Sequence, residues 1–600
     1  MKENSKSTGK TRAVLYIFKP LFSPSFVFAL LATWLIFAMP VSAAEGNKEF
    51  KRIAERYLQF YFRHHPVAAT SCGVHDYDSQ LNDITPEGRA QYLKSVREFD
   101  GQLNGIVFEE LSRENQIDWN LIKADISASI LDMDSIKSWR NNPDKYSSYV
   151  NTAIFTLVQR DFAPFEKRLG SLIEREEKIP LYLARAKSNL EASQVPRIFA
   201  SIALTKIPGI LSFFEKDLVK QVSSEAKKIK QKQLLVRFSE VNSKSIEALK
   251  DYKRFLENEI MPETVPEFAL GEDLYKKKLY SEELVDDSID NLIRRGEKEL
   301  SRLQKQFKDC AATLDKKKTA VQVFESIASR HPAPDRLISS VSGVLEDIRR
   351  FCVEKPVVTI PGEERVVVAE TPPFMRALTF ASMDTPGPFE KNAKGAFYFV
   401  TLPEKDWDKK QVEEHMRSFS DQDLLNTSIH EAYPGHYVQF LWVNRAVSDI
   451  RKVFGCSSNA EGWAHYCEEM MLEEDFRNAG PELRITQVHD ALLRVCRYIV
   501  GLKMHTRGMS LEEGIQFFEK EGFQEHANAE REAKRGTMDP TYLVYTLGKL
   551  EILSMRESFR SKAGASFNLK EFHDLFLKQG YPPLALVRAQ MLQEKVKKFF

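Results

Sequence analysis

Ser428-Ile429-His430-Glu431-Ala432-Tyr433-Pro434-Gly435-His436, followed by Glu461-Gly462-Trp463-Ala464-His465-Tyr466-Cys467-Glu468, is the pair of stretches on which the reading of this chain turns. Neutral imidazoles bind zinc well, and two of them with one carboxylate leave a fourth position open for water, which separates catalytic from structural zinc sites. Glu431 stands beside the first histidine, where a base for that water is needed. The two blocks therefore read as a site for one Zn2+ ion, with His430, His436 and Glu461 as ligands and Glu431 as the catalytic base.

The spacing sets a condition on the backbone. Histidines four apart share a helix face, but His430 and His436 are six apart, and at roughly 100° per residue a straight helix would point them about 120° away from each other. Between them Pro434 lacks a helical N–H, and Gly435 tolerates backbone angles that other residues avoid. The segment is expected to be a helix broken or bulged at Pro434-Gly435 and resumed through Tyr437-Val438-Gln439-Phe440-Leu441. On a second helix, Glu461, His465 and Glu468 stack at i, i+4 and i+7. Glu461 would bind metal and Glu468 would orient a ligand imidazole from behind. His465 is the rival ligand or a residue at the pocket edge.

His-Glu-x-x-Pro-Gly-His followed by Glu-Gly-Trp-Ala-x-Tyr-x-Glu resembles the bacterial family known as domain of unknown function 885, whose members look like helical zinc metallopeptidases. Upstream, Gly271-Glu272-Asp273-Leu274-Tyr275, Glu370-Thr371-Pro372-Pro373-Phe374 and Pro386-Gly387-Pro388-Phe389-Glu390 are similar to the family's segments. Downstream, so are Arg494-Val495-Cys496-Arg497 with His505, and Arg535 through Lys549. The sequence departs from the family at Gly501, where an acidic residue is common four positions before the histidine that aligns with His505. The resemblance implies a mainly α fold with a deep cleft, and a preference for oligopeptides. It also implies a tyrosine that holds the oxyanion: Tyr545 precedes Gly548 by three as the family's tyrosine does, and Tyr542 lies on the same helix face. His505, Arg535, Arg494 and Arg497 are further candidates for substrate contact.

Working back to the start, Lys2, Lys6, Lys10, Arg12 and Lys19 precede an apolar run from Phe26 to Met39, and Val41-Ser42-Ala43-Ala44 offers the small residues read by a signal peptidase. Residues 1–44 are expected to be an export signal, which makes the mature protein periplasmic or extracellular. A retained membrane anchor is the alternative, although the run is shorter than the roughly 20 residues of a spanning helix. The first cysteine is Cys72, so no lipid-anchored form is expected.

From Phe50 to about Ile260 apolar residues recur at three- and four-residue steps among Lys, Arg and Glu, the pattern of packed amphipathic helices. Met261-Pro262-Glu263-Thr264-Val265-Pro266 stops helices and marks a boundary between an N-terminal half, 45–270, and a catalytic half, 271–600. Within the latter, Val357-Val358-Thr359-Ile360, Arg365-Val366-Val367-Val368 and Ala396-Phe397-Tyr398-Phe399-Val400-Thr401 are β-rich and read as a small sheet beside the cleft. Its edge either binds an extended peptide or is a packing hairpin.

The whole chain carries a formal net charge of +1, and with the five cations of the leader removed the rest is slightly acidic, so nothing in it points to a nucleic-acid partner and none is expected. Six scattered cysteines read as buried free thiols rather than a disulfide framework. The resulting expectation is a zinc metallohydrolase that cleaves short peptides outside the cytoplasm. The alternatives are a zinc hydrolase of non-peptide amides or esters, and a non-catalytic peptide-binding envelope protein, which would have no use for Glu431.

Overall fold

The computed structural model describes residues 43–600 apart from 373, 374 and 377–379. Residues 1–42 of the expected export signal, 1–44, and the Pro373-Phe374 pair lie outside the described residues. The described chain opens on the helix Ala43–His64, and helices dominate from there on. The fold is mainly α with one small sheet, as the apolar periodicity requires.

The helices from Asp144–Val158 to Gln233–Phe255 enclose a core of their own that includes Val150, Leu169, Leu183, Ile207 and Leu249. One continuous helical run within it, Arg197–Lys228, is long and apolar enough by composition to cross a membrane. Its Ala203, Ile207, Ile210, Phe214 and Leu218 face that core.

The helices over 43–131 share a different cluster with the far end of the chain: Phe50, Tyr57 and Trp119 lie with Ile450, Leu586 and Val596. Polar contacts reinforce this seam. Arg451, fully buried, holds Asp118 at 2.8 Å, and Asn120 donates to the Lys597 carbonyl at 3.0 Å.

Ser288 caps the helix Ile289–Leu314 by accepting from the Asn291 N–H, and the stripe Leu292, Leu300, Leu303 and Phe307 is buried against the helix Pro481–Thr506. This second helix is buried on most of its faces, which places it at the centre of the helices that follow residue 271.

The sheet differs from the sequence expectation in one strand. Its order is β1-β3-β2, with β1 Val366–Glu370 parallel to β3 Ala396–Val400 and β2 Ala381–Asp384 antiparallel to β3. Val357-Val358-Thr359-Ile360 forms no strand. The Val357 carbonyl accepts from His573 Nδ1 at 2.7 Å, and the Thr359 N–H donates to Asp574 at 2.8 Å, so helix side chains serve this backbone. The β-branched residues are there because Val357 and Val358 fill the core. The strand that takes the third place, Ala381-Ser382-Met383-Asp384, has no such composition. The N-terminal half holds this outer strand: Arg160 pairs with Asp384 and donates to the Gly395 carbonyl.

Candidate metal centre

The helix Asp421–Glu431 stops where the sequence predicts, and a new one, His436–Val443, starts after Pro434-Gly435. The Tyr433–Pro434 bond is cis, and the Gly435 N–H donates back to the Ile429 carbonyl at 3.1 Å. A Cβ on Gly435 would sit 1.8 Å from the His430 carbonyl oxygen, so this return of the chain requires glycine. Trp463 on the next helix, Ser457–Glu473, donates its indole N–H to the Pro434 carbonyl at 3.0 Å and fixes the break against that helix.

The break brings His436 round to His430, with ring centroids 4.8 Å apart at 88°. Glu461 Oε2 lies 3.4 Å from His430 Nε2 and 3.3 Å from His436 Nε2. One ligand atom from each of the three residues lies within 4.8 Å of the others. Ligands at about 2.0–2.2 Å from a tetrahedral zinc would stand about 3.3–3.5 Å apart, which these two separations match. Glu461 Oε2 is buried with no hydrogen-bond partner, a cost a cation would remove. The residues therefore fit a zinc ion.

The electrostatics agree with that fit. Burial opposes charge on His430, yet the adjacent Glu461 carboxylate and the hydrogen bond to Glu468 lift the imidazole to about 9. Burial likewise opposes ionisation of Glu461, but His436 and His430 outweigh it and hold the carboxylate well below its usual range. The cluster favours a positive charge at its centre. Behind it, His430 Nδ1–H donates to Glu468 Oε1 at 2.7 Å, which leaves Nε2 for a metal. Arg494 grips Glu468 Oε1 at 2.9 Å.

His465, the rival ligand, is outside the cluster. Its Nδ1 bonds Glu468 Oε2 at 3.1 Å, and burial holds the ring near 3 and so neutral. It buttresses Glu468.

Glu431 is half-buried beside both histidines, and burial raises its carboxyl, against the pull of His430 and His436. The Met383 N–H of β2 donates to its Oε2 at 2.9 Å. The outer strand therefore touches the site through its backbone, at Glu431 itself.

Across the cluster, Gly548 on the helix Val544–Ala563 packs directly on Gly462: a Cβ on Gly462 would lie 2.5 Å from Gly548 Cα. This contact of bare backbones sets Tyr545, one turn before Gly548, near Glu461. Burial, with the Glu461 charge adding to it, pushes the phenol up to about 12, so it stays a proton donor. Arg535 Nη2 donates to its oxygen at 3.2 Å.

The family model described as bacterial protein of unknown function (DUF885) matches residues 66–591. The chain belongs to the DUF885 family. No curated protein matches it. Among solved structures, a candidate lipoprotein of unknown function from Shewanella oneidensis is similar at 27% identity and a TM-score of 0.75, covering 90% of this chain and 99% of that one. A candidate lipoprotein from Colwellia psychrerythraea is similar at 17% identity and a TM-score of 0.77, covering 91% of this chain and 99% of that one. A Pyrococcus furiosus carboxypeptidase aligns at 12% identity with a TM-score of only 0.41, over 92% of this chain and 97% of that one. That last likeness is too remote to carry an argument.

Not every residue singled out in this DUF885 sequence reaches the cluster. Tyr542 is fully buried and donates its hydroxyl to Glu532, which Arg497 holds with bonds of 2.7 and 2.9 Å. Both candidates are thus spent on a structural network. His505 is buried and bonds the Gly536 carbonyl at 2.9 Å; burial lowers it to about 4, and it ties two helices together. With a carbonyl as partner, Gly501 in place of an acid leaves nothing unsatisfied. Arg535 alone of this group stands half-exposed beside Tyr545. Sequence reading missed the Met383 N–H and the grip of Arg494 on Glu468, neither of which has a local signature. All six cysteines are free, and all but Cys72 are buried.

Proposed function

We propose that this DUF885 protein is a zinc-dependent hydrolase that cleaves peptide bonds in short peptides outside the cytoplasm. The observation that carries the reading is the convergence of His430 Nε2, His436 Nε2 and Glu461 Oε2 beside a half-buried glutamate and opposite a protonated tyrosine. Zinc held by the three ligands would polarise the scissile carbonyl and lower the pKa of the attacking water. Glu431, aligned by the Met383 N–H, takes a proton from the water and delivers it to the leaving amine. Arg535 donates to the Tyr545 oxygen, so the tyrosine's own hydrogen is left to turn toward the carbonyl oxygen as charge develops on it. Raised by burial, the Glu431 carboxyl is a stronger base than an ordinary surface glutamate.

A location outside the cytoplasm is supported by the cationic, apolar leader and by similarity to proteins described as candidate lipoproteins. Peptides as the substrate class rest on the outer strand, whose backbone lies at the base as it would for an extended chain.

Metal analysis and peptide-library digestion test the reading together. Purified protein is expected to hold about one zinc and His436→Ala to lose it. Glu431→Gln should keep zinc while turnover falls by a factor of about 10² or more. Equal zinc in His436→Ala, or unchanged turnover in Glu431→Gln, would defeat the assignment.

A further inference from the structure

Most arginines packed around the catalytic half are matched by a carboxylate: Arg494 by Glu468, Arg497 by Glu532, Arg451 by Asp118 and Arg556 by Glu473. Two on the helix His526–Met538 lack a hydrogen-bonded carboxylate. Arg531 is half-buried and forms no ion pair among the described residues; it caps the Asn528 side chain and lies 4.2 Å over the Phe380 ring. Arg535, one turn on, has only Asp539 at 3.8 Å, beyond hydrogen-bond reach. Glu532, which sits between them in sequence, is spent on Arg497 and Tyr542.

These two cations connect the two sides of the metal cluster. Arg535 touches Tyr545, the proposed oxyanion donor, and Arg531 lies on Phe380, the residue that leads into β2 and so to Met383 and Glu431. A helix places residues four apart on one face, so both guanidinium groups project from the same side of this helix. A half-buried cation without an ion-pair partner is costly, and burial lowers the Arg531 guanidinium from its usual value; the nearby Glu532 charge opposes the shift, and Arg497 and Arg535 add to it. An anion arriving with the substrate would relieve it. Guanidinium forks match a carboxylate in geometry as well as charge.

We infer that Arg531 and Arg535 form the subsite for the free α-carboxylate at the C-terminus of a peptide, so that the enzyme releases one or two residues from that end. This rests on the peptidase reading above and gives it a polarity: the free carboxylate binds beyond the scissile bond, on the side of the leaving amine. Peptides blocked at the C-terminus lose that anchor.

The test uses two random hexapeptide libraries, identical except that one carries free C-terminal acids and the other amides. The zinc-loaded protein digests each, and mass spectrometry reads the products. Free acids should be cleaved at least about 10-fold faster in kcat/KM, the size of a lost charge-assisted contact. Arg531→Gln and Arg535→Gln should each bring the acid-to-amide ratio toward one, and Arg535→Lys should keep part of it. A purely structural role would slow both libraries alike and leave the ratio unchanged. Amides cleaved as fast as acids overturn the inference while sparing the peptidase reading. So do amides cleaved wherever an Asp or Glu side chain supplies the carboxylate. If neither library is cleaved, the peptidase reading fails, and retention of the two libraries on immobilised Glu431→Gln protein decides the subsite alone: preferential retention of acids supports it, and equal retention or none overturns it.

Discussion

Glu468 and Glu532 are both buried carboxylates, each held by an arginine of the helix Pro481–Thr506, Arg494 for one and Arg497 for the other. Burial opposes the charge on both, and in both the arginine overcomes it, holding Glu468 well below its usual range and Glu532 at about 2. The third partner separates them. Glu468 accepts from His430, whose other nitrogen faces Glu461, so its position is transmitted to the metal cluster. Glu532 accepts from Tyr542, which faces inward, so its network ends in the core and holds the wall that presents Arg535 and Tyr545. One set of charges thus serves two purposes, and the choice lies in whether the remaining acceptor meets an imidazole or a phenol.

The largest expected effect breaks the core network. Glu532→Gln leaves Arg497 buried without its counter-charge, which should cost about 3–5 kcal/mol in urea unfolding, while zinc content of the folded fraction stays the same. The native carboxylate has its folded pKa depressed from 4.5 to about 2. Its contribution, about 3 kcal/mol, is therefore present above pH 4.5 and lost as the pH falls toward 2, and the variant should show a shallower acid dependence over that window. Equal stability of variant and parent at pH 7 would show that the network is not what holds the wall.

Next, the two tyrosines should part. Tyr545→Phe is expected to lower kcat by about 2.7–4 kcal/mol with KM and zinc little changed. Tyr542→Phe should instead lower stability, by about 1–3 kcal/mol, because Glu532 loses a buried partner. If the kcat loss follows Tyr542 instead, the division between wall and core drawn here is wrong.

The smallest effect belongs to the metal side. Glu468→Gln keeps the shape but weakens the hold on His430, so zinc affinity measured by competition with a chelator should fall about 10- to 100-fold. Stability of the zinc-loaded protein should change less than in Glu532→Gln. An unchanged affinity would place Glu468 with Glu532, as a structural group.

What could be read from the sequence follows from how local each determinant is. His430, Glu431 and His436 lie within seven residues of the chain, and Pro434-Gly435 announces the break that brings them together. Glu461 and Glu468 share a helical face with period seven, so their common orientation toward His430 was visible too. The helical fold was legible from apolar periodicity over hundreds of residues. What remained hidden is non-local or carried by the backbone. No composition marks Ala381-Ser382-Met383-Asp384 as a strand, because its place is set by pairing with β3 and its contribution is an N–H. Val357-Val358-Thr359-Ile360 misled because burial in a core and pairing in a sheet select the same side chains. Arg497 and His505 are polar residues on a helix near the site, and only the fold reveals that their partners face away from it.

The contact between Gly462 and Gly548 sets a tolerance. Two helices there meet main chain to main chain, with no side chain between them to be exchanged for a larger or smaller one. Glu461 adjoins one glycine and Tyr545 lies one turn from the other, so the separation of metal ligand and proton donor is gauged by the backbone. Elsewhere in the core a side chain can shift to take up a change of size, but this spacing has no such slack: it is a fixed caliper between Glu461 and Tyr545.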